Sequence, residues 1–261
     1  MIHITEPVRK SALDVIQYNL RAAGCKTYVT RVVYFGEYRG THEVLRKRME
    51  DIIHDLHMDY NDMPITGLFL VYPTCYIHVL EAWEDIIYKH YELMYNTENN
   101  EYKFGKAIPL PSYHHVHQRF FTSWCHVYTT PPTLIGTLEG HTLDDIQKQV
   151  SNCLMKMYTL CDYIARAGLG EKSIDVQDAL WNLGDKAARY LPESTVLEFL
   201  LNVSSPVLKT VEEYLRMYSD VSPSAFWDDN NVWPPPCDIM PRDVFDEHGR
   251  RKISYHPNSE K

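Results

Sequence analysis

The sequence predicts an α+β fold in which helices alternate with antiparallel strands, followed by a helical region and an extended tail. Three observations carry this expectation. Short β-branched and aromatic runs alternate with stretches of helical periodicity. Two apolar runs, TGLFLVY and CYIHVLEA, are separated only by Pro73 and Thr74, which suits a hairpin and excludes a helix interior. After Ser219, proline and tryptophan replace periodicity.

Residues 1–26 contain TEPVRKSALDVIQYNLRAAG, a short amphipathic helix with Thr5 as its capping residue, Pro7 early, and Leu13, Ile16 and Leu20 at helical spacing before Gly24. The main domain is expected over 27–130. Its first strand is YVTRVVYF, Tyr28 to Phe35, ending in a turn region from Gly36 to Gly40. EVLRKRMEDIIHDLHM follows as an amphipathic helix with Val44, Leu45, Met49, Ile52, Ile53 and Leu56 on one face. The hairpin comes next, then a second helix, WEDIIYKHYELMYN, and a polar loop, NTENNEY. KAIPLPSYHHVH and QRFFTSWCHVYTT read as two more strands, the first made irregular or placed at an edge by Pro109 and Pro111. The order β-α-β-β-α-β-β is that of a ferredoxin-like sandwich with one additional strand.

Strand alternation puts Tyr76, His78 and Leu80 on one side of the sheet and Ile77 and Val79 on the other, so both faces need cover. TLDDIQKQVSNCLMKMYTLCDYIARAG supplies a long helix, capped by Thr142, with Ile146, Val150, Leu154, Met157, Cys161 and Ile164 along one stripe and Gly168 at its end. Further helices are expected at VQDALWNLGDKAARYL, PESTVLEFLLN and PVLKTVEEYLRMYSD, the last two opening with proline at or near the first helical position. Residues 141–218 thus form a helical region that packs on the sheet. Residues 219–261 form an extended strap. Phe226, Trp227, Trp233 and Pro234, Pro235 and Pro236 are its candidate partner-binding residues, because a proline-rich segment has no interior in which to hide aromatics.

Composition bounds the function. The 261 residues, 44% of them hydrophobic, suffice for one substantial core. A formal net charge of -9 gives no electrostatic reason to bind nucleic acid. The six cysteines form no CxxC pair and no apolar leader follows Met1, which predicts reduced thiols in the cytoplasm. No run reaches the roughly 18–20 apolar residues of a membrane span, so a soluble chain is expected. GxSxG, Walker, HExxH and kinase signatures are absent. FGEYRGTHE resembles an anion-cradling loop only weakly, because Glu37 would repel a phosphate. His115, His117 and His126 could offer imidazoles to zinc, but no cysteine or carboxylate is spaced to complete the set, so no metal is expected. Nothing here points to an enzyme.

With that element order and PITGLFLVYPTCYIHVLEA in its middle, the region from Tyr28 to Thr130 resembles the BLUF family, blue-light sensors that hold FAD between the two helices of a ferredoxin-like sheet. The family's segment reads gITGlLly, a turn, then FiQvLEG. The resemblance implies a flavin pocket at Tyr34 in VVYF, Asn61 in DYNDMPITG, His78, and Trp124 and His126 in RFFTSWCHVY. It also marks departures. Asn61 stands one residue too close to ITG, His126 replaces a methionine, and His78 replaces the light-sensing glutamine. A primary amide donates and accepts towards one flavin edge, whereas a neutral imidazole does so from opposite edges of a rigid ring. One buried partner would go unsatisfied, at about 1–3 kcal/mol. The expectation is no cofactor, with Met49, Tyr88 and Tyr91 filling the space of the ring.

TGLFLVYPT, IHVLEA, YLPESTVLEFLL and NVWPPP together resemble a family of vertebrate testis-expressed proteins with a degenerate BLUF-like domain. That resemblance implies a non-enzymatic structural or adaptor component of the motile cilium or sperm-flagellum axoneme, with other axonemal proteins as partners. The competing expectation is a flavin-binding sensor module.

Overall fold

The computed structural model describes residues 10–22, 27–61, 63–95, 104–132, 138, 140, 142–167, 180 and 183–219. By its contacts the chain divides into Met1–Arg216 and Met217–Lys261. Of the second unit only the end of a helix is described. The expected strap residues Phe226, Trp227, Trp233 and Pro234 to Pro236 lie outside the described residues, as do Thr5, Gly24 and Gly168.

The fold is α+β, built on a ferredoxin-like sheet. Its strands are β1 (Val29–Tyr38), β2 (Thr66–Val71), β3 (Cys75–Ala82), β4 (Phe104–Pro109), β5 (Tyr113–Val116) and β6 (Trp124–Tyr128). The order is β4-β1-β3-β2-β6, with β5 also paired to β1. Both hairpin strands are buried along their whole length, which explains apolar runs without polar alternation.

Three strands differ from expectation. β1 does not turn at Gly36 but runs on to Tyr38, with Gly36 opposite Tyr76 and Ala107. A side chain there would place its Cβ 2.7 Å from Tyr76 Oη and 2.9 Å from Ala107 Cβ, so glycine serves close strand packing rather than a turn. The expected fourth strand is two pieces, β4 and β5, which pair with different parts of β1. Pro111, lacking an N–H, falls between them. The expected last strand shrinks to five residues because Arg119 and Phe120 bond to Glu81 instead of joining the ladder. β6 pairs with β2 in parallel, since β5 runs opposite to β1 and one reversal at the Glu81 end of the sheet returns the chain alongside β2.

Helices cover both faces. α1 (Ala12–Ala22) precedes the sheet, starting at a capping box between Ser11 and Asp14. α2 (His42–Asp59) and α3 (Glu84–Tyr95) pack with Tyr34, Phe69, Tyr76 and Leu80. α4 (Leu143–Ala167), the single turn α5 (Leu183–Lys186) and α6 (Ser194–Asn202) pack with Phe35, Leu70, Ile77 and Val79. Thr142 caps α4 as expected, exchanging hydrogen bonds with Asp145. Along α4, Cys153 and Leu160 are buried while Leu154 is only half-buried.

α7 (Val211–Ser219) begins five residues later than Pro206, where Thr210 and Glu213 form a capping box. Its Val211 joins the cluster of α2 and α3, opposite to that of α4. Among the described residues no helix is long and apolar enough to cross a membrane. Cys75, Cys153 and Cys161 are buried and Cys125 half-buried, all unpaired. Burial pushes the thiols of Cys75, Cys125 and Cys153 up to about 12, which leaves them inert at neutral pH.

Candidate functional site

Sheet register decides which of the candidate residues meet. Tyr34 on β1 stands directly opposite His78 on β3, and His78 stands opposite Phe69 on β2. Strand alternation aims all three at α2 and α3. Tyr34 Oη lies 2.7 Å from His78 Nδ1 and 2.6 Å from His90 Nε2, the latter contributed by α3. From β6, Trp124 Nε1 donates to His78 Nε2 at 2.8 Å. Four side chains therefore form one hydrogen-bonded row, Trp124–His78–Tyr34–His90.

Proton counting fixes its direction. Burial, then the nearby His90, hold His78 well below the usual imidazole range, and burial pushes His90 down to about 3. Burial also drives the Tyr34 phenol well up, with Tyr76 and Tyr91 adding to it. All three groups are neutral at physiological pH. An indole only donates, so His78 Nε2 accepts and its proton sits on Nδ1, donating to Tyr34. The single phenolic proton must then go to His90 Nε2. His90 in turn carries its proton on Nδ1, where it is buried with no partner.

Of the five pocket candidates, Tyr34, His78 and Trp124 are brought together. Asn61 is exposed in the turn after α2 and takes no part. His126 sits two residues beyond Trp124 on β6, a third exposed, its Nε2 2.6 Å from Glu50 Oε1, an atom that also accepts from Arg46 at 2.8 Å. Its ring lies 5.7 Å from Trp124 but outside the row. Sequence reasoning missed His90, although its place between Ile86 and Met94 on the buried stripe of α3 was a readable sign. His90 and Tyr91, not the half-buried Tyr88, stand beside Tyr34, and Met49 is buried in the same apolar cluster.

The residues present do not fit a flavin ring. Both nitrogens of His78 and the hydroxyl of Tyr34 are already engaged with protein. α2 and α3 are also bridged directly, Arg48 donating to the Leu93 carbonyl at 3.2 Å.

A second polar cluster closes the sheet end. Arg31 Nε donates to Glu81 Oε1 at 2.7 Å, Thr66 donates to Oε2 at 2.9 Å, and the Phe120 amide lies 3.1 Å from both carboxylate oxygens. The Arg31 guanidinium stacks 3.9 Å from the Phe120 ring. Every lone-pair direction of the fully buried Glu81 is used, which makes this a structural clamp joining β1, β2, β3 and the segment before β6.

The histidines of SYHHVH are dispersed. His114 contacts Thr30 at 3.3 Å and the His115 ring lies 4.3 Å from Tyr28. Among the described residues no group of three or more histidines, cysteines or carboxylates is placed to hold a metal.

A family model described as testis-expressed protein 47 matches residues 28–220. No curated protein matches the chain. Similar solved structures include a bacterial light-regulated adenylyl cyclase, at 18% identity over 53% of this chain and 36% of that one, with a TM-score of 0.32. The chain thus spans about a third of the cyclase's length. BlrB, a BLUF protein in its dark state, is 12% identical over 63% of this chain and 98% of its own, with a TM-score of 0.32. The BLUF structure of BlrP1 is 14% identical over 64% and 98%, with a TM-score of 0.33.

Proposed function

The chain belongs to the testis-expressed protein 47 family and carries a BLUF-like domain, and from that premise we propose a structural or adaptor component of the motile cilium or sperm flagellum that is neither an enzyme nor a flavin sensor. One observation carries the reading. In the row Trp124–His78–Tyr34–His90, the side chains that face a flavin in the sensors face each other instead. A sensor needs a group that can exchange partners when its ligand changes. Here Tyr34, His78 and His90 are fully buried and neutral, Trp124 is half-buried, and the four are bonded to one another, which rigidifies a core rather than reporting on a ligand.

Helices on both faces of the sheet make a body suited to being held in an assembly. Attachment falls to the strap, through Phe226, Trp227, Trp233 and Pro234 to Pro236, with other axonemal proteins as partners. Tryptophan anchors in a proline-rich segment lose little conformational entropy on docking. The net charge of -9 argues against nucleic acid as the partner.

Fractionation of ciliated or spermatogenic cells tests this. The protein should stay with the axoneme after detergent removes membrane and soluble cytoplasm. Complete release into the detergent-soluble fraction would overturn the proposal.

A further inference from the structure

Three buried side-chain atoms on the α2 and α3 side of the sheet find no partner in the protein: His90 Nδ1, Tyr76 Oη and Tyr91 Oη. Their rings surround that of Tyr34, with centroids 5.8 Å, 6.1 Å and 5.3 Å away respectively, and His90 lies 5.9 Å from Tyr91. The His90 atom is the most constrained, because the indole of Trp124 forces a proton onto it. A neutral N–H donor thus stands in the interior beside the Tyr91 phenol, with the Tyr76 phenol also against the Tyr34 ring, and each phenol can donate and accept. Folded proteins pair nearly all such groups, with protein or with ordered water.

Space and chemistry select the occupant. α2 and α3 touch directly where Arg48 donates to the Leu93 carbonyl. A water needs only about 30 Å³ and two to four polar partners. No charged side chain belongs to the cluster, and both histidines are held neutral by burial, which disfavours an anion.

We infer that this interior is a built hydration site: ordered water accepts from His90 Nδ1 and hydrogen-bonds to the hydroxyls of Tyr76 and Tyr91. The row that starts at Trp124 then ends in water, and every polar group along it is satisfied. This stands on the geometry of the core and is independent of any role in a cilium.

Two measurements on the full-length protein test it. A high-resolution crystal structure should show water within hydrogen-bond distance of His90 Nδ1. Tyr76→Phe and Tyr91→Phe, which keep ring volume, should each lower Tm by about 2–4 °C, the shift expected for one lost hydrogen bond in a chain of this size. If the phenols are instead unpaired, removing the hydroxyl relieves a buried polar group and Tm rises; that sign, or clear density for an ion or organic molecule at the site, would overturn the inference. A flavin in that density would also sink the structural reading above, whereas a dry core with a raised Tm would sink this inference alone.

Discussion

Trp124 has one N–H and no acceptor, and that asymmetry sets the direction of every hydrogen bond behind it. His78 and His90 should both be neutral Nδ1–H tautomers, a state that nitrogen chemical shifts of labelled histidine report directly. In Trp124→Phe the lock is gone, and a mixture of tautomers at His78 is the expected spectrum. Tyr34→Phe leaves His78 Nδ1 and His90 Nε2 unpaired in the core, so chemical denaturation should show a loss of about 2–4 kcal/mol. The histidines also predict a pH dependence. Their folded pKa values lie below the unfolded value near 6.5, His90 at about 3, so the unfolded chain binds more protons in between. Stability is then complete above about pH 6.5 and falls with acidification by up to about 1.4 kcal/mol per pH unit for each histidine. His90→Leu should flatten that slope in unfolding curves taken between pH 4 and 7. A slope unchanged by the substitution would show that His90 is not the titrating group. At this scale the sequence was readable where a residue broke a pattern, as His78 does. At His90 burial was readable from the stripe of α3 but the partner was not, since that depends on where the Tyr34 hydroxyl ends up.

At the level of elements, periodicity was enough for the hairpin, α2, α3 and α4, because burial on one or both faces dictates their side-chain pattern. It failed where a side chain rather than the ladder takes the backbone groups. Glu81 accepts the Phe120 amide, which ends pairing before β6 and turns one long expected strand into a short parallel one. Nothing local in QRFFTSWCHVY announces that capture. The start of α7 was readable in TVEE, a capping box, but proline at 206 drew the boundary too early. The Glu81 clamp yields its own test. Glu81→Ala strips the buried Arg31 guanidinium of its counter-charge and should cost about 3–5 kcal/mol, as breaking a buried pair by removing one partner usually does. Thermal melts of Glu81→Gln, which keeps the hydrogen bonds to Arg31, should fall between wild type and alanine. Equal melting of all three would mean that the clamp contributes nothing.

For the whole molecule, one sheet separates two apolar clusters, and each has its own helical cover. Helices thus cover both faces of the sheet, which directs attention to the segment after Ser219. Truncation there should leave the thermal unfolding of the remaining chain nearly unchanged while abolishing its retention in detergent-extracted axonemes; retention of the truncated protein would move the docking surface onto the folded body. Family and fold could be read from TGLFLVYPT, IHVLEA and YLPESTVLEFLL, all of which fall within the matched residues 28–220. His78 already marked a departure from the flavin pocket; the partners it takes could not be read, because they turn on contacts between β1, β3, β6 and α3 that no sequence spacing reveals. The central claim is that the pocket of a flavin sensor has closed upon itself. The most direct measurement is the near-ultraviolet and blue absorbance of the purified, folded, full-length protein, with release of any cofactor by denaturation. The account predicts a colourless protein that releases no flavin, and a stoichiometric flavin spectrum would contradict it.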